Sequence, residues 1–283
     1  GQQSVAQGGD GDDVIRLPGG GASAYGDAGN DFMQGGSGVS FMSAGDGDDL
    51  IAGGAGNEYA WGQAGIDVLV GGAGIDQLSG GDGDDELEGD GGDDVLFGDD
   101  GNDTLASGSG RGYLDGGAGD DRYLISGEEG DLTIVDAGGN NVIEFADGIV
   151  ADALSFAAAV DTLGNDQHLV IAGLPSTGTM TVVNAFGGAV SQYRFADGTT
   201  LSASDVAARA HAAGARPPTP LPVSIAAVAG SAEGDRITFT SSAVKVDAGY
   251  GNDAITGGAF DDTLAGSFGD DRLTGAGGRN VLD

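Results

Sequence analysis

The chain has 283 residues, of which 59 are glycine and none is cysteine, and 45 acidic residues against 10 basic ones give a formal net charge of −35. This charge repels nucleic acid and anionic membranes, so neither is an expected partner, and the absence of cysteine excludes disulfides and thiolate metal sites. The sequence shows no signal peptide, lipid box or apolar run long enough to span a bilayer. Because it opens without methionine and ends inside a repeat, we expect a processed product or a segment of a longer protein.

Thirteen consecutive nine-residue blocks fill residues 8–124 without an insertion. Clear examples are GGDGDDVIR at 8–16, GDAGNDFMQ at 26–34 and GGDGDDELE at 80–88. Position four is glycine in every block. Position eight is apolar in every block: Ile15, Ala24, Met33, Met42, Ile51, Ala60, Leu69, Leu78, Leu87, Leu96, Leu105, Leu114 and Tyr123. A fixed short period of this kind predicts a solenoid.

Each block ends in one apolar residue between two outward ones, which is typical of a short strand. The six residues before it are too rich in glycine for a helix and suit a turn that needs positive φ. Two blocks then make one coil of eighteen residues, so we predict an all-β solenoid of two parallel sheets. Neighbouring coils should stack at about 4.8 Å, the spacing of paired strands.

Alternate blocks line up along opposite edges of such a solenoid, and position six differs between the two edges. On the first edge it is always aspartate: Asp13, Asp31, Asp49, Asp67, Asp85, Asp103 and Asp121. On the second edge only the middle positions carry an acid. The residues there are, in order, Ala22, Ser40, Glu58, Asp76, Asp94 and Gly112. Acids scattered on a solvated surface would not fill one edge completely.

A column of carboxylates about 5 Å apart costs roughly 3 kcal/mol per adjacent pair at an effective dielectric constant near 20. One buried Leu or Ile per block returns only about 1.5–3 kcal/mol. We therefore expect the metal-free roll not to hold, and a hard divalent cation between the coils to stabilise it. Calcium takes six to eight oxygen ligands, whereas magnesium keeps its waters and zinc prefers His or Cys. The sequence thus predicts several bound calcium ions.

The blocks resemble the RTX (repeats-in-toxin) nonapeptide GGxGxDxUx, whose family folds as a parallel β-roll. The resemblance implies bacterial export by type I secretion, folding on extracellular calcium, and an ion between blocks one coil apart. Its ligands would be the position-six aspartates and carbonyls of the glycine turns, namely Gly9, Gly11, Gly29, Gly47, Gly65, Gly72, Gly74, Gly81, Gly83, Gly92, Gly101 and Gly119. On the same pattern Ala22, Ser40 and Gly112 mark missing or weakened sites.

From Ile125 the nonapeptides stop, and 125–215 is predicted to be a β-rich capping domain that covers the open end of the roll. We predict antiparallel strands at Leu132–Val135, Val142–Phe145, Leu169–Ile171, Met180–Val183 and Tyr193–Phe195, two of which end in the word FADG, at 145–148 and 195–198. A short helix is expected from Ser202 to His211, with Ser202 or Ser204 as its N-cap. Residues 216–229 form a proline-rich linker.

A second, shorter roll is predicted over 230–283. Its position-six residues are Asp235, Asp253 and Asp271 on one edge and Val244, Asp262 and Asn280 on the other. The resemblance adds Gly251 and Gly269 to its ligands. No cap follows the last block, so this end could stack against the roll of another subunit and propagate as a lattice or filament.

No catalytic motif is present, since the chain has neither HExxH nor GxSxG and its two histidines, His168 and His211, lie in a strand and in a helix pattern. We therefore expect a non-enzymatic, extracellular structural protein of a bacterial cell surface. It would be a component of a surface layer, an adhesin or a matrix fibre. The alternative is an accessory module of a secreted protease, lipase or epimerase. A third class, a glycan-binding module, would use outward aromatic residues of the second sheet: Tyr25, Phe41, Tyr59, Trp61, Phe97 and Tyr113.

Overall fold

The computed structural model describes residues 4–19, 21–136, 138–160, 167–176, 178–183 and 185–212, and seven short strands between 228 and 282. The chain forms two compact units, residues 1–221 and 222–283. In the first unit, as described, one α-helix and one short 3-10 helix accompany two large sheets.

The first unit is a coil that alternates between its two sheets. One sheet contains β1 (Ser4–Asp10), β3 (Ala22–Ala28), β5 (Ser40–Asp46), β7 (Glu58–Ala64), β9 (Gln77–Asp82), β11 (Asp94–Asp100), β13 (Gly110–Ala118) and β15 (Glu129–Val135), followed by β19, β18 and β17. The other contains β2 (Val14–Arg16), β4 (Phe32–Gln34), β6 (Leu50–Gly54), β8 (Val68–Ala73), β10 (Glu86–Gly91), β12 (Thr104–Ala106), β14 (Arg122–Ile125) and β16 (Val142–Phe145), followed by β20 and β21. The remaining strands are β17 (Ser155–Val160), β18 (Gln167–Ala172), β19 (Met180–Val182), β20 (Gln192–Phe195) and β21 (Thr200–Ser202).

The predicted register is confirmed: strands of neighbouring coils are parallel and offset by eighteen residues. Leu69 pairs with Leu87 and Leu87 with Leu105, while Leu78 pairs with Leu96. Every position-eight side chain from Ile15 to Tyr123 is buried between the sheets. The predicted fold, an all-β parallel roll with a β-rich cap, is therefore correct.

The prediction of antiparallel strands after Ile125 is wrong for most of them. Strands β15 and β19 continue the first sheet in parallel, and β16 and β20 continue the second. Both sheets of the roll thus run on past residue 124, through coils in which paired residues lie about 20 and then about 50 residues apart instead of eighteen. The hydrophobic alternation that marks a strand is the same for parallel and antiparallel neighbours, so it could not separate the two.

Antiparallel pairing is confined to the far edges of the two sheets. The hairpin β17–β18 adds to β19, and β21 adds to β20. A short 3-10 helix occupies Ala185–Gly187, and α1 occupies Ala203–Ala212. Ser202 caps this helix as predicted, because its hydroxyl accepts from the Asp205 amide at 3.2 Å while its own amide donates to Asp205 Oδ2 at 2.9 Å.

The second unit repeats the coil on a smaller scale. Its strands are β22 (Val228–Ala229), β23 (Arg236–Thr238), β24 (Lys245–Asp247), β25 (Ala254–Thr256), β26 (Thr263–Ala265), β27 (Arg272–Thr274) and β28 (Val281–Leu282). They form two parallel sheets offset by eighteen residues, in the register that the sequence predicts. Strand β22 lies within the predicted linker 216–229, so the second roll starts earlier than expected. Among the described residues, no helix is long and apolar enough to cross a membrane.

Candidate metal centre

The aspartates of position six form two buried columns, one at each edge of the roll. On the first edge Asp31, Asp49, Asp85 and their neighbours are at most 3 % exposed, and only Asp13, in the first coil, is half-buried. On the second edge Asp76 and Asp94 are equally buried. The turns before each strand place these carboxylates between the coils rather than in solvent.

One oxygen of each carboxylate is paired with the backbone of the preceding coil. The Asp85 amide donates to Asp103 Oδ1 at 2.8 Å, and the Asp103 amide donates to Asp121 Oδ1 at 2.8 Å. The same contact recurs from Asp13 onward along the first edge. On the second edge the Asp76 amide donates to Asp94 Oδ1 at 2.9 Å. Each aspartate therefore links two coils through one oxygen.

The other oxygen of each carboxylate is buried and has no hydrogen-bond partner. These atoms are the Oδ2 oxygens of Asp31, Asp49, Asp67, Asp76, Asp85, Asp94, Asp103 and Asp121. An unpaired buried charge is strongly unfavourable, so this row of oxygens requires a cation or protons.

Backbone carbonyls lie near these unpaired oxygens. The two kinds of oxygen border a small space, called a cage below, that is open because the residue at position one is glycine and has no side chain to fill it. A Cβ built on Gly89 would stand 2.6 Å from Asp94 Oδ2 and 2.7 Å from the Ser107 carbonyl oxygen of the next coil. On the first edge, at Gly26, Gly62 and Gly98, a Cβ would likewise approach the same two kinds of oxygen to under 3.0 Å. Position one is glycine throughout this edge, except for Ala44.

The donor set of these cages fits calcium. Carboxylate and carbonyl oxygens are hard ligands, and the column contains no nitrogen or sulfur donor that would favour zinc. Among the described residues, no three His, Asp or Glu side chains converge on one point, so a cation here would take most of its ligands from the backbone. Calcium would supply the positive charge that the paired coils lack.

The glycines predicted as carbonyl ligands lie next to the cages, at positions two and four. Gly9, Gly72 and Gly81 occupy position two, and the rest, from Gly11 to Gly119, occupy position four; all have positive φ. The position-four glycines of neighbouring coils lie against each other, since a Cβ on Gly29 would stand 2.6 Å from the Gly11 carbonyl oxygen. The carbonyls that share the space at Gly26, Gly62, Gly89 and Gly98 with an unpaired aspartate oxygen belong to the position-one residue of the next coil, which the sequence interpretation did not name.

The predicted ligands of the second roll, Asp235, Asp253, Asp262, Asp271, Gly251 and Gly269, lie outside the described residues. On the second edge of the first roll, Ala22 and Gly112 carry no carboxylate. Ser40 is 1 % exposed, and its hydroxyl donates to the Gly38 carbonyl at 3.3 Å.

Burial raises the pKa of the column carboxyls from Asp49 to Asp121, and the charges of their neighbours add to the effect. The pKa of Asp67 rises to about 7 and that of Asp103 to about 8 on the first edge, and that of Asp94 to about 8 on the second. The amide hydrogen bond from the preceding coil lowers each pKa by less than burial raises it. The metal-free column therefore holds part of its protons near neutral pH.

A second ladder, which the sequence interpretation also missed, runs along position five. The Asp48 amide donates to Asn30 Oδ1 at 3.1 Å, and the Asn102 amide donates to Asp84 Oδ1 at 2.8 Å. These side chains are exposed and paired, so they staple the coils without a cation. The sequence does contain a signal for this ladder, because Asp and Asn alternate at position five. They do so in Asp12, Asn30 and Asp48, and again in Asp84, Asn102, Asp120 and Asn140.

Comparison with known families agrees with this geometry. The RTX calcium-binding nonapeptide repeat, described as four copies, matches residues 25–57, 61–96, 79–114, 88–123, 97–131 and 247–282. No curated protein matches the chain. The matched ranges fall on the coils that carry the aspartate columns and on the second roll. The chain therefore belongs to the family of RTX calcium-binding repeat proteins.

Proposed function

We propose that this calcium-binding repeat protein is an extracellular structural component, of the surface-layer, adhesin or matrix-fibre kind, whose folding and assembly are triggered by calcium. The observation that carries the proposal is the row of buried, unpaired aspartate oxygens along both edges of the roll. A coil with one inward side chain per strand buries too little apolar surface to offset them.

Calcium dependence suits a protein that works outside the cell. RTX repeat proteins are typically secreted. Extracellular calcium modules bind with dissociation constants of roughly 0.1–1 mM, well above cytosolic calcium levels. A chain with such affinity stays unfolded during export and folds on arrival, because metal binding and folding are coupled.

We propose no enzymatic activity for the chain. The buried acids of the repeats are committed to the columns, where their spacing follows the coil rather than a substrate. His168 lies in β18 and is 1 % exposed, and His211 lies in α1. The alternative function, an accessory module of a secreted enzyme, predicts a catalytic domain encoded in the same gene, which full-length gene context would reveal.

A second candidate function, glycan binding, rests on the outward face of the sheet that contains β1 to β15, which carries the aromatic residues predicted for this role. Phe41 stacks on Tyr59 with ring centroids 5.0 Å apart and planes 10° apart, and both are partly exposed beside Trp61. From β3 to β9 the outward residues of positions seven and nine carry no charge: Ser23, Tyr25, Phe41, Ser43, Tyr59, Trp61, Gln77 and Ser79. A neutral face of aromatic, hydroxyl and amide groups on so acidic a chain suits an uncharged, polyhydroxylated ligand.

Phe97 and Tyr113 belong to the same aromatic set but are only 8 % and 7 % exposed, so the open part of this face lies at Tyr25 to Trp61. A glycan array should then show binding that Trp61→Ala abolishes. Phe32→Ala on the opposite sheet, where the ring lies under Arg16, is the matched control and should bind normally. An array without any hit removes this candidate.

The structural function is tested by size-exclusion chromatography with light scattering at millimolar calcium, with magnesium as the control. We expect calcium to convert an expanded monomer into compact particles that associate as protein concentration rises. A compact, strictly monomeric species at high concentration would contradict the assembly part of the proposal. An expanded chain in calcium would contradict the whole proposal.

A further inference from the structure

The outward face of the sheet that begins with β2 is apolar over its first four strands, β2, β4, β6 and β8. Position seven of these strands is Val14, Phe32, Leu50 and Val68, and position nine is Arg16, Gln34, Ala52 and Val70. Val14 is 61 % exposed and Leu50 is 40 % exposed. These eight residues, which form the apolar patch, include no acid. On a chain with a net charge of −35, another acidic chain can approach such a face without meeting like charge.

Opposite charges lie at the two ends of the apolar patch. At one end the Arg16 guanidinium lies over the Phe32 ring, 5.4 Å from its centroid. At the other end β10 carries Glu86 and Glu88, both exposed. Partial burial raises the pKa of Glu88, and the charges of Asp90 and Glu86 add to the effect. Among the described residues, no ion pair joins Arg16, Glu86 or Glu88 to an opposite charge.

The two ends lie at equal distances from β6, in one column. Arg16 pairs in register with Gln34, Gln34 with Ala52, Ala52 with Val70, and Val70 with Glu88. A twofold axis along β6 therefore exchanges β2 with β10 and β4 with β8. When two copies face each other about this axis, Arg16 lies opposite Glu88 of the second copy. Leu50 then lies opposite its own counterpart. The face is thus complementary to itself, which is the requirement for an isologous contact.

We infer that two copies of the chain pair through the apolar patch, with a twofold axis along β6. Apolar side chains fill the centre of the contact, and an Arg16–Glu88 ion pair closes each end. Four strand spacings make the patch about 19 Å long. This is smaller than the surface that stable complexes bury, so the contact is weak alone and adds to the other contacts of an assembly. The inference rests on the proposed assembly and names one of its contacts.

Cross-linking of single-cysteine variants of the whole chain at millimolar calcium tests the contact. The chain has no cysteine, so Leu50→Cys provides one thiol per copy, next to the twofold axis. Packed sheets lie about 10 Å apart, a gap that a short bismaleimide bridges. Thr104→Cys, at position seven of β12, is the matched control because its two copies would lie about 29 Å apart. We expect a covalent dimer from Leu50→Cys and none from Thr104→Cys. Equal yields from the two variants overturn the inference.

A charge exchange tests the register of the two copies. In the Leu50→Cys background, Arg16→Glu places like charges at both ends of the contact, so we expect the dimer yield to fall about tenfold. Adding Glu88→Arg to the same chain restores opposite charges and should restore the yield. These side chains are exposed, so the exchange leaves the core of the roll intact. A yield that stays low in the double exchange contradicts the placement of Arg16 opposite Glu88.

Light scattering of the wild type separates failure of this inference from failure of the proposed function. If the wild type associates but Leu50→Cys forms no more dimer than Thr104→Cys, the assembly uses another surface and only the inference is overturned. If the wild type also stays monomeric at high concentration, the proposed assembly is overturned together with the inference.

Discussion

The coils before and after residue 124 share one geometry but close their edges by different chemistry. Before it, a buried aspartate with one unpaired oxygen lies at every turn of the first edge from Asp31 to Asp121. After it, Asn141 occupies the same place: the Asp121 amide donates to Asn141 Oδ1 at 2.7 Å, and Asn141 Nδ2 donates to the Ala189 carbonyl at 2.8 Å. Among the described residues after Ile125, no carboxylate oxygen is buried without a partner.

Two acids near this transition, Asp136 and Glu129, are paired with hydrogen-bond donors. The Tyr123 hydroxyl accepts from the Gly116 amide at 2.8 Å and lies 2.6 Å from Asp136 Oδ2. Burial raises the pKa of Asp136 to about 8. Glu129 accepts from the Ser126 and Gly127 amides, both at 2.7 Å. Hydrogen-bond donors of the protein thus compensate for the burial of these two carboxyls, whereas we expect a cation to do so for the unpaired oxygens of the repeat coils.

The later coils also have larger side chains in the core. Phe145 stacks on Phe195 with centroids 4.6 Å apart, and Tyr193 is buried beside them. A repeat coil contributes one Leu, Ile, Met or Ala per strand instead. We infer from this comparison that the parallel coil itself needs no calcium and that the aspartate columns create the requirement.

Removing calcium should separate the two regions most clearly. In EGTA we expect residues 26–124 to lose their amide protection, since the columns are uncompensated, while β16–β20 keep theirs. Hydrogen exchange followed by mass spectrometry measures both regions in one experiment. Uniform protection, or uniform loss, would show that the two kinds of edge do not differ in calcium dependence.

Acid should partly replace calcium. A carboxyl whose pKa is raised on folding stabilises the fold below its unfolded value, near 4, and this stabilisation disappears as pH rises through the folded pKa. That value is about 6 for Asp85 and about 8 for Asp103. We expect the metal-free repeat coils to be more stable at pH 5 than at pH 8, on the order of a few kcal/mol per carboxyl.

Far-UV circular dichroism of the chain freed of calcium on a chelating resin, recorded at the two pH values, measures this difference as the folded fraction of the repeat coils. With saturating calcium the trend should reverse, because calcium competes with protons for the same oxygens. Higher metal-free stability at pH 8 would mean that the column carboxyls are already ionised at no energetic cost.

A single neutralised aspartate should distinguish the two ladders. Asp103→Asn keeps the amide contact to Asp85 but replaces the unpaired oxygen by an NH₂ group. We expect one calcium ion fewer and a metal-free roll more stable by about 1–3 kcal/mol. Asp84→Asn, in the exposed ladder of position five, is the control and should leave the ion count unchanged. Equal ion counts for the two variants would remove position six from the metal site.

The smallest expected effect is that of the Tyr123 hydroxyl. Tyr123→Phe removes the partner of the Gly116 amide and of Asp136, so we expect a loss of about 1–3 kcal/mol. Because the coils after residue 124 are expected not to depend on calcium, their loss of stability should be the same with and without calcium in solution. Tyr193→Phe, two coils further on in the same sheet, is the control and should cost less. Thermal unfolding compares the variants; a neutral Tyr123→Phe would mean that the hydrogen-bonded edge contributes nothing.

Much of the roll was predictable because the repeat reports its own register. Eighteen-residue periodicity fixes which strands pair, and position eight fixes the core, as Leu87 and Leu96 show. After Ile125 the connections lengthen, and the register is no longer visible as a fixed period. The repeated word FADG was a signal of it, since Phe145 and Phe195 pair directly in neighbouring parallel strands.

The sequence predicted where the buried carboxylates of the candidate site lie, but not which backbone carbonyls lie near them. Aspartates can be counted along an edge, whereas the carbonyl beside each unpaired oxygen depends on turn geometry that the sequence does not state. The antiparallel cap was likewise overextended because alternation does not encode strand direction.

Far-UV circular dichroism during a calcium titration of EGTA-stripped protein tests the central claim most directly, with magnesium as the control. We predict a cooperative gain of β-structure with calcium and none with magnesium at the same concentration, from a starting signal that contains only the coils after 124. A chain already fully β-structured in EGTA would contradict the claim that cations between the aspartates hold the repeat coils together.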